Sequence, residues 1–226
     1  MSESRYAKFL ACLNQRQPDL TVLMEQVHKP HNLSAVMRTC DQVGIGTVHA
    51  VPITEGPFQT KFHTSGSAAR WLDVVLHDTV DDGVAALKAQ GMQIVVADLT
   101  PDAVDYRAVD YTVPTAVLLG AEREGVSAKA KALADRHVII PMRGLVQSLN
   151  VSVAAALILN EAMNQRERAG YYATPRLAPE TVHGYLVRWL HPDVAAWCDE
   201  RGLGYPALYE DGGIVTADWQ RIRDSA

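Results

Sequence analysis

Ile139-Ile140-Pro141-Met142-Arg143-Gly144-Leu145-Val146-Gln147-Ser148-Leu149-Asn150-Val151-Ser152-Val153-Ala154-Ala155-Ala156 begins as an apolar strand and ends as a helix of small residues. Between the two lies a loop with Arg143, Gln147, Ser148 and Asn150. A strand-to-helix connection normally needs a few residues, a glycine and one cap. This one is longer and sets several polar groups against strongly apolar flanks. Buried polar groups need hydrogen-bond partners, so the loop is expected to grip a ligand.

Upstream of that loop, apolar runs alternate with helical periods. Strands are expected at Leu20–Met24, Thr47–Val51, Leu72–Leu76, Gln93–Ala97, Thr115–Leu119 and Val138–Ile140. Helices are expected at Leu33–Val43 with Asn32 as cap, at Thr79–Gln90, near Ser127–Ala134, and from about Asn150 to Arg168. Pro52–Gly66 reads as a loop. Continuous rather than alternating apolar strands between helices imply an α/β fold with a mostly parallel sheet and helices on both faces. Arg5–Arg16 reads as an amphipathic helix, and the chain beyond Gly170 as a helical tail after a proline-punctuated linker. The expected division is therefore an N-terminal helical extension at 1–18, a central domain at 19–170 and a C-terminal helical extension at 171–226.

The 226 residues are 48% hydrophobic and 21% charged, an ordinary globular composition. No apolar run approaches the ~18 residues of a membrane span, and no signal peptide is read at Met1–Arg5. Cys12, Cys40 and Cys198 are odd in number and scattered, which fits small buried hydrophobes in a reducing cytoplasm. A net charge of −5 argues against a protein that coats nucleic acid through bulk charge but leaves room for a local basic face.

Several chemistries can be set aside on spacing. Gly44-Ile45-Gly46 precedes a strand and lacks the third glycine of a dinucleotide fingerprint. Gly120-Ala121-Glu122-Arg123-Glu124-Gly125-Val126-Ser127 has the glycines of a phosphate loop, but Val126 stands where the lysine belongs and two carboxylates would repel phosphate. No His-x-x-x-His or Cys-x-x-Cys pair is present, so no metal is expected. Glu122 reads either as part of a tight turn or as a functional carboxylate, since it follows a strand where α/β ligands bind. By spacing alone Arg38 is a solvated helix residue.

The Asn32…Ala35…Arg38-Thr39 helix, the Leu119-Gly120-Ala121-Glu122…Gly125 loop and the Ile140-Pro141-Met142…Gln147-Ser148-Leu149-Asn150-Val151-Ser152 segment resemble, in type and order, the three motifs of the SPOUT methyltransferases. Arg5-Tyr6-Ala7, the Arg16–Val22 and Glu25–Asn32 stretches, and Gly202-Leu203-Gly204-Tyr205-Pro206 extend the likeness to the tRNA (guanosine-2′-O)-methyltransferases of the TrmH type, nearly end to end. The resemblance implies a C-terminal deep trefoil knot, S-adenosylmethionine as methyl donor, a homodimer, and tRNA as substrate, methylated on the ribose of guanosine 18 in the D-loop. It assigns catalysis to Asn32, Arg38, Glu122, Ser148 and Asn150, and the cofactor pocket to Ala97, Leu99, Leu119, Gly120, Ile140, Met142 and Leu149. Relatives often carry Thr at the position of Ala97. With that resemblance, Arg166, Arg168, His31, Arg5 and Lys8 become expected RNA contacts, and for Arg166 and Arg168 this reading is preferred to charge complementing the helix dipole. A ribosomal RNA 2′-O-methyltransferase is the alternative within the class. Those relatives often add an N-terminal RNA-binding domain, for which few residues precede Asn32. A noncatalytic RNA-binding module is the alternative outside the class.

Overall fold

A computed structural model describes residues 3–53, 70–98 and 100–225. Most of the loop expected at 52–66, and Leu99, lie outside the described residues. The chain divides into two compact units, one of residues 17–173 and one of residues 1–16 with 174–226.

The larger unit is built on a seven-stranded sheet. Its strands are β1 (Leu20–Glu25), β2 (Thr47–Val51), β3 (Asp73–Leu76), β4 (Gln93–Ala97), β5 (Val104–Asp105), β6 (Thr115–Leu119) and β7 (Arg136–Ile139). They run in the order β3-β2-β1-β6-β4-β7-β5, and every pairing is parallel. Central β1 and β6 pair from Leu20↔Thr115 to Met24↔Leu119 and are buried along their whole length. Alternate side chains enter opposite cores. Val22, Met24, Val117 and Leu119 join one cluster, and Leu23, Ala116 and Leu118 the other. The first cluster is closed by α2 (Pro30–Gln42) and α5 (Val151–Arg168), through Leu33, Val36, Met37 and Cys40 against Ala155, Ile158, Leu159 and Ala162. The second is closed by α3 (Val80–Ala89) and α4 (Ala128–Leu133). Such two-sided cover is what continuous apolar strands require.

Two local expectations are corrected. Helix α2 starts at Pro30, with Lys29 at the cap position, rather than after Asn32. Proline suits the first helical position because its missing N–H would have no partner there. The short edge strand β5 was not expected; its two residues pair with Val138 and Ile139. Asn150 does cap α5, accepting from the Ser152 amide at 2.8 Å.

In the smaller unit, α1 (Glu3–Asn14) and the C-terminal segment share one packing core. Helices α6 (Pro179–Leu190), α7 (Pro192–Asp199) and α8 (Thr216–Asp224) follow the linker. Phe9 meets Trp189 edge-to-face at 5.4 Å, and the Arg16 guanidinium lies over the same indole at 5.8 Å. Trp197 packs edge-to-face on Trp219. No helix among the described residues is long and apolar enough to cross a membrane.

Candidate active site

Because the strands are parallel, their carboxyl ends lie on one rim. That is where α/β sheets bind ligands. A cavity of about 320 Å³ opens there, beyond the ends of β4, β6 and β7. Ala97, Leu119, Gly120, Ile140, Met142 and Leu149, the described members of the expected cofactor set, all line it. Ser148 and Glu122 line it too. The volume and the mixture of apolar side chains with exposed main chain suit a small organic ligand.

The loop after β6 is shaped by its glycines. A Cβ on Gly120 would stand 2.2 Å from the carbonyl carbon of Gly125, so the two backbones approach as only glycine permits. Gly125 has φ 68°, and its amide donates to the Ala121 carbonyl at 2.9 Å. Beyond the turn, the Ser127 amide donates to Glu25 Oε2 at 2.9 Å, which ties the loop to the end of β1. The turn puts Glu122 at its tip with a side chain only 5% exposed.

Glu122 heads a directed chain of hydrogen bonds. Its Oε1 accepts from the Lys29 amide at 3.1 Å and from Asn32 Nδ2 at 2.8 Å. An ionised carboxylate only accepts, so Asn32 must turn its amide nitrogen toward Glu122 and its oxygen away. That oxygen accepts from Asn150 Nδ2 at 3.2 Å, and Asn150 Oδ1 then accepts from the amide and hydroxyl of Ser152. Burial pushes the Glu122 carboxyl upward, but hydrogen bonds from Asn32, its own amide and Lys29, with His28 nearby, hold it below the usual range. Oε2 is buried without a hydrogen bond among the described residues, and His28 Nδ1 stands 3.2 Å from it, an ion pair when that ring is protonated. Asn32 therefore does not act as the expected helix cap. Inside the first turn of α2 it joins two loops through its side chain.

Arg38 is not brought to this network. Six residues beyond Asn32 is about 9 Å along the axis and most of two turns around it. The side chain is exposed and makes no ion pair among the described residues. The expected RNA contacts divide. Arg166 is a correction: it is fully buried, and it donates to the carbonyls of Tyr111, Val113 and Asp19, to Gln17 Oε1 and to Asp19 Oδ1 at 2.6–3.2 Å. A guanidinium enclosed by five acceptors cannot also meet a phosphate. Arg168 is 69% exposed, 3.7 Å from Glu161. His31 is exposed on α2, and Arg5 and Lys8 are exposed on α1 in the other unit. Not anticipated from the sequence were Asp98 and Lys131, an ion pair at 2.8 Å lining the cavity. Asp98 had the signal that marked Glu122: a carboxylate just past the end of a parallel strand. Among the described residues no group of three His, Cys, Asp or Glu side chains is placed to hold a metal.

Residues 19–160 match the family model described as the SpoU rRNA Methylase family, and residues 164–217 the one described as its C-terminal region. A tRNA (guanosine(18)-2′-O)-methyltransferase of Escherichia coli is 47% identical over 229 residues, the full length of both chains. One of Thermus thermophilus is 52% identical over 84% of this chain and 97% of its own. The crystal structure of the Aquifex aeolicus TrmH/SpoU tRNA modifying enzyme superposes with a TM-score of 0.75 at 36% identity, covering 85% of this chain and 98% of that one. The SpoU methyltransferase AviRb of Streptomyces viridochromogenes, in complex with AdoMet, gives a TM-score of 0.58 at 29% identity over 69% of this chain and 62% of that one.

Proposed function

This chain belongs to the SpoU methylase family, and from that premise we propose that it transfers a methyl group from S-adenosylmethionine to the ribose 2′-hydroxyl of guanosine 18 in tRNA, in the cytoplasm. The observation that carries this reading is the end-to-end likeness to guanosine-18 enzymes in a chain whose Glu122–Asn32–Asn150 network borders a ligand-sized cavity.

When bound, S-adenosylmethionine supplies a methyl on a sulfonium, whose leaving group is a neutral thioether. The chain's own task is to hold donor and ribose in line and to favour the alkoxide. Ala97, Leu119, Gly120, Ile140, Met142 and Leu149 enclose the donor with apolar side chains and main-chain groups; Leu99 completes that set in the proposal. Ser148, at the cavity wall, and Asn150 orient the ribose. Asn32 and Glu122 fix the two loops that frame the site. Arg38 carries a guanidinium, which only donates hydrogen bonds and offers no acceptor for the hydroxyl proton. It therefore stabilises the developing alkoxide and clamps a neighbouring phosphate, and a phosphate oxygen or water takes the proton. His31 and Arg168, with Arg5 and Lys8, contact tRNA phosphates.

Arg38 lies outside its own chain's cavity, so the proposal includes a homodimer in which α2 of one copy faces the cavity of the other. Exposed apolar residues support that arrangement: Val153 and Leu157 stand one turn apart on α5, next to α2. The C-terminal trefoil knot is part of the same reading. It is supported by the strand order, in which the later strand β7 lies between β4 and β5 and so enters the span of the earlier β4–β5 connection.

The test is transfer of a labelled methyl to unmodified tRNA, with donor affinity measured separately. Arg38→Ala is expected to lower turnover by about 100-fold while the donor's Kd stays within about twofold. Near-normal turnover would remove Arg38 from the chemistry. Loss of donor affinity would overturn its assignment to the acceptor side, and transfer to ribosomal RNA alone would shift the substrate to the other branch of the family.

A further inference from the structure

His28 sits in the connection between β1 and α2, beside the turn that carries Glu122. Its Nδ1 stands 3.1 Å from the Gln26 carbonyl oxygen and 3.2 Å from Glu122 Oε2. Neither a carbonyl nor an ionised carboxylate can donate, so Nδ1 must carry the hydrogen. Gln26 makes this contact from a strained backbone. Among the described residues it is the one non-glycine with a positive φ, 57°, in the left-handed region that side chains disfavour. Its amide donates to the Val51 carbonyl at 2.9 Å, while its own carbonyl meets the His28 ring. Strain of this kind persists where the surroundings fix it, and it gathers at functional sites.

The ring addresses the oxygen that the rest of the network leaves open. Oε1 of Glu122 takes the Lys29 amide and Asn32 Nδ2, whereas buried Oε2 makes no hydrogen bond among the described residues and has the His28 ring beside it. A buried carboxylate oxygen with no donor is costly, and a ring N–H at short range lowers that cost. Through its two oxygens Glu122 meets His28, Lys29 and Asn32, the last residues before α2 and its first turn. Arg38 rides on the same helix. We propose that His28 is a positioning residue for methyl transfer: its Nδ1–H secures Oε2 of Glu122, and so fixes the carboxylate that holds the start of the helix presenting Arg38. The inference rests on the proposed reaction and on the part Arg38 plays in it.

Two measurements test it, one of them independent of activity. Nitrogen NMR of the imidazole rings, with the His28 signals identified by their loss in His28→Asn, should show the neutral ring of the unaltered protein as the Nδ1–H tautomer. The Nε2–H tautomer would overturn the proposal. In methyl transfer to unmodified tRNA, His28→Ala should lower kcat by about 10-fold, with the KM for tRNA and the donor's Kd within about threefold. His28→Asn sets an amide N–H close to the place of Nδ1 and should recover most of that loss. His28→Gln, whose amide reaches toward the place of Nε2, should not. An Asn variant as slow as the Ala variant would show that the Nδ1–H is not what matters, and would overturn the proposal. A raised KM for tRNA at normal kcat would make His28 an RNA contact and overturn it as well. If the unaltered protein methylates no tRNA, the proposed reaction fails and the inference with it; if it is active and His28→Ala matches it, only the inference fails.

Discussion

An asparagine at a helix start usually gives its side-chain oxygen to the backbone. Asn32 instead accepts from Asn150 and donates to Glu122, because Pro30 already occupies the first helical position and moves the cap to Lys29. A second buried polar pair has a consequence for stability. His49, buried on β2, has Nδ1 2.9 Å from His77 Nε2, and the rings stack at 5.2 Å. One proton can serve that contact, and two would set like charges side by side. Burial, and then His77, lower His49 to about 4 from an ordinary 6.5. His77 is lowered too, by burial that outweighs the opposing pull of Asp82 and Asp78. Between those two values the unfolded chain binds more protons than the folded one, so stability is lost as pH falls from about 6.5 toward about 4. Below 4.5 the depressed Glu122 adds to the loss in the same direction. Urea unfolding of His49→Gln between pH 7 and pH 4 should give a flatter pH dependence than the unaltered chain. An unchanged slope would place the proton uptake elsewhere.

At the scale of elements, Arg166 changes what the last turn of α5 does. It clamps the β4–β6 connection to the start of β1, with its guanidinium also over the Tyr171 ring at 5.6 Å. Removing one partner of a buried pair strands the other. Arg166→Ala should therefore cost about 3 kcal/mol in urea unfolding, with tRNA affinity per folded molecule unchanged; a variant of normal stability that binds tRNA weakly would restore the phosphate role. The residue type could not reveal this, because arginine at a helix end looks the same in sequence whether it faces water or the interior. The elements themselves were more legible. Uninterrupted apolar runs such as Thr115–Leu119 marked buried parallel strands, and the cap at Asn150 marked the start of α5. Strand order was not legible. The insertion of β6 between β1 and β4 depends on a β1–β6 pairing across almost a hundred residues, and the two residues of β5 are too few for a period to show. The site followed the same division. Glu122 and the apolar pocket residues sit at strand ends and in loops that the pattern exposed; Asp98 shares that strand-end signal, but its pairing with Lys131 joins two distant segments and left no trace in the pattern.

At the scale of the molecule, Glu122 lines the cavity and holds Asn32, which holds Asn150, while Arg38 lies outside it, so the proposed function needs a second copy to complete the site. The proposed homodimer supplies that copy, and its interface is open to attack at one apolar position. Leu157→Glu, which puts a charge on the exposed stripe of α5, should convert the dimer to a monomer in sedimentation. It should lower turnover by about 100-fold, as loss of Arg38 does, without weakening donor binding. An unaltered protein that sediments as a monomer and is fully active would require Arg38 to act within its own chain or not at all. The nucleotide that receives the methyl defines the enzyme. Unmodified tRNA transcript, incubated with the protein and labelled S-adenosylmethionine, can be digested and its methylated nucleotide mapped. A single 2′-O-methylguanosine at position 18 is expected, abolished when that ribose is replaced by deoxyribose; label on a base, at another ribose, or none at all would contradict the proposed reaction.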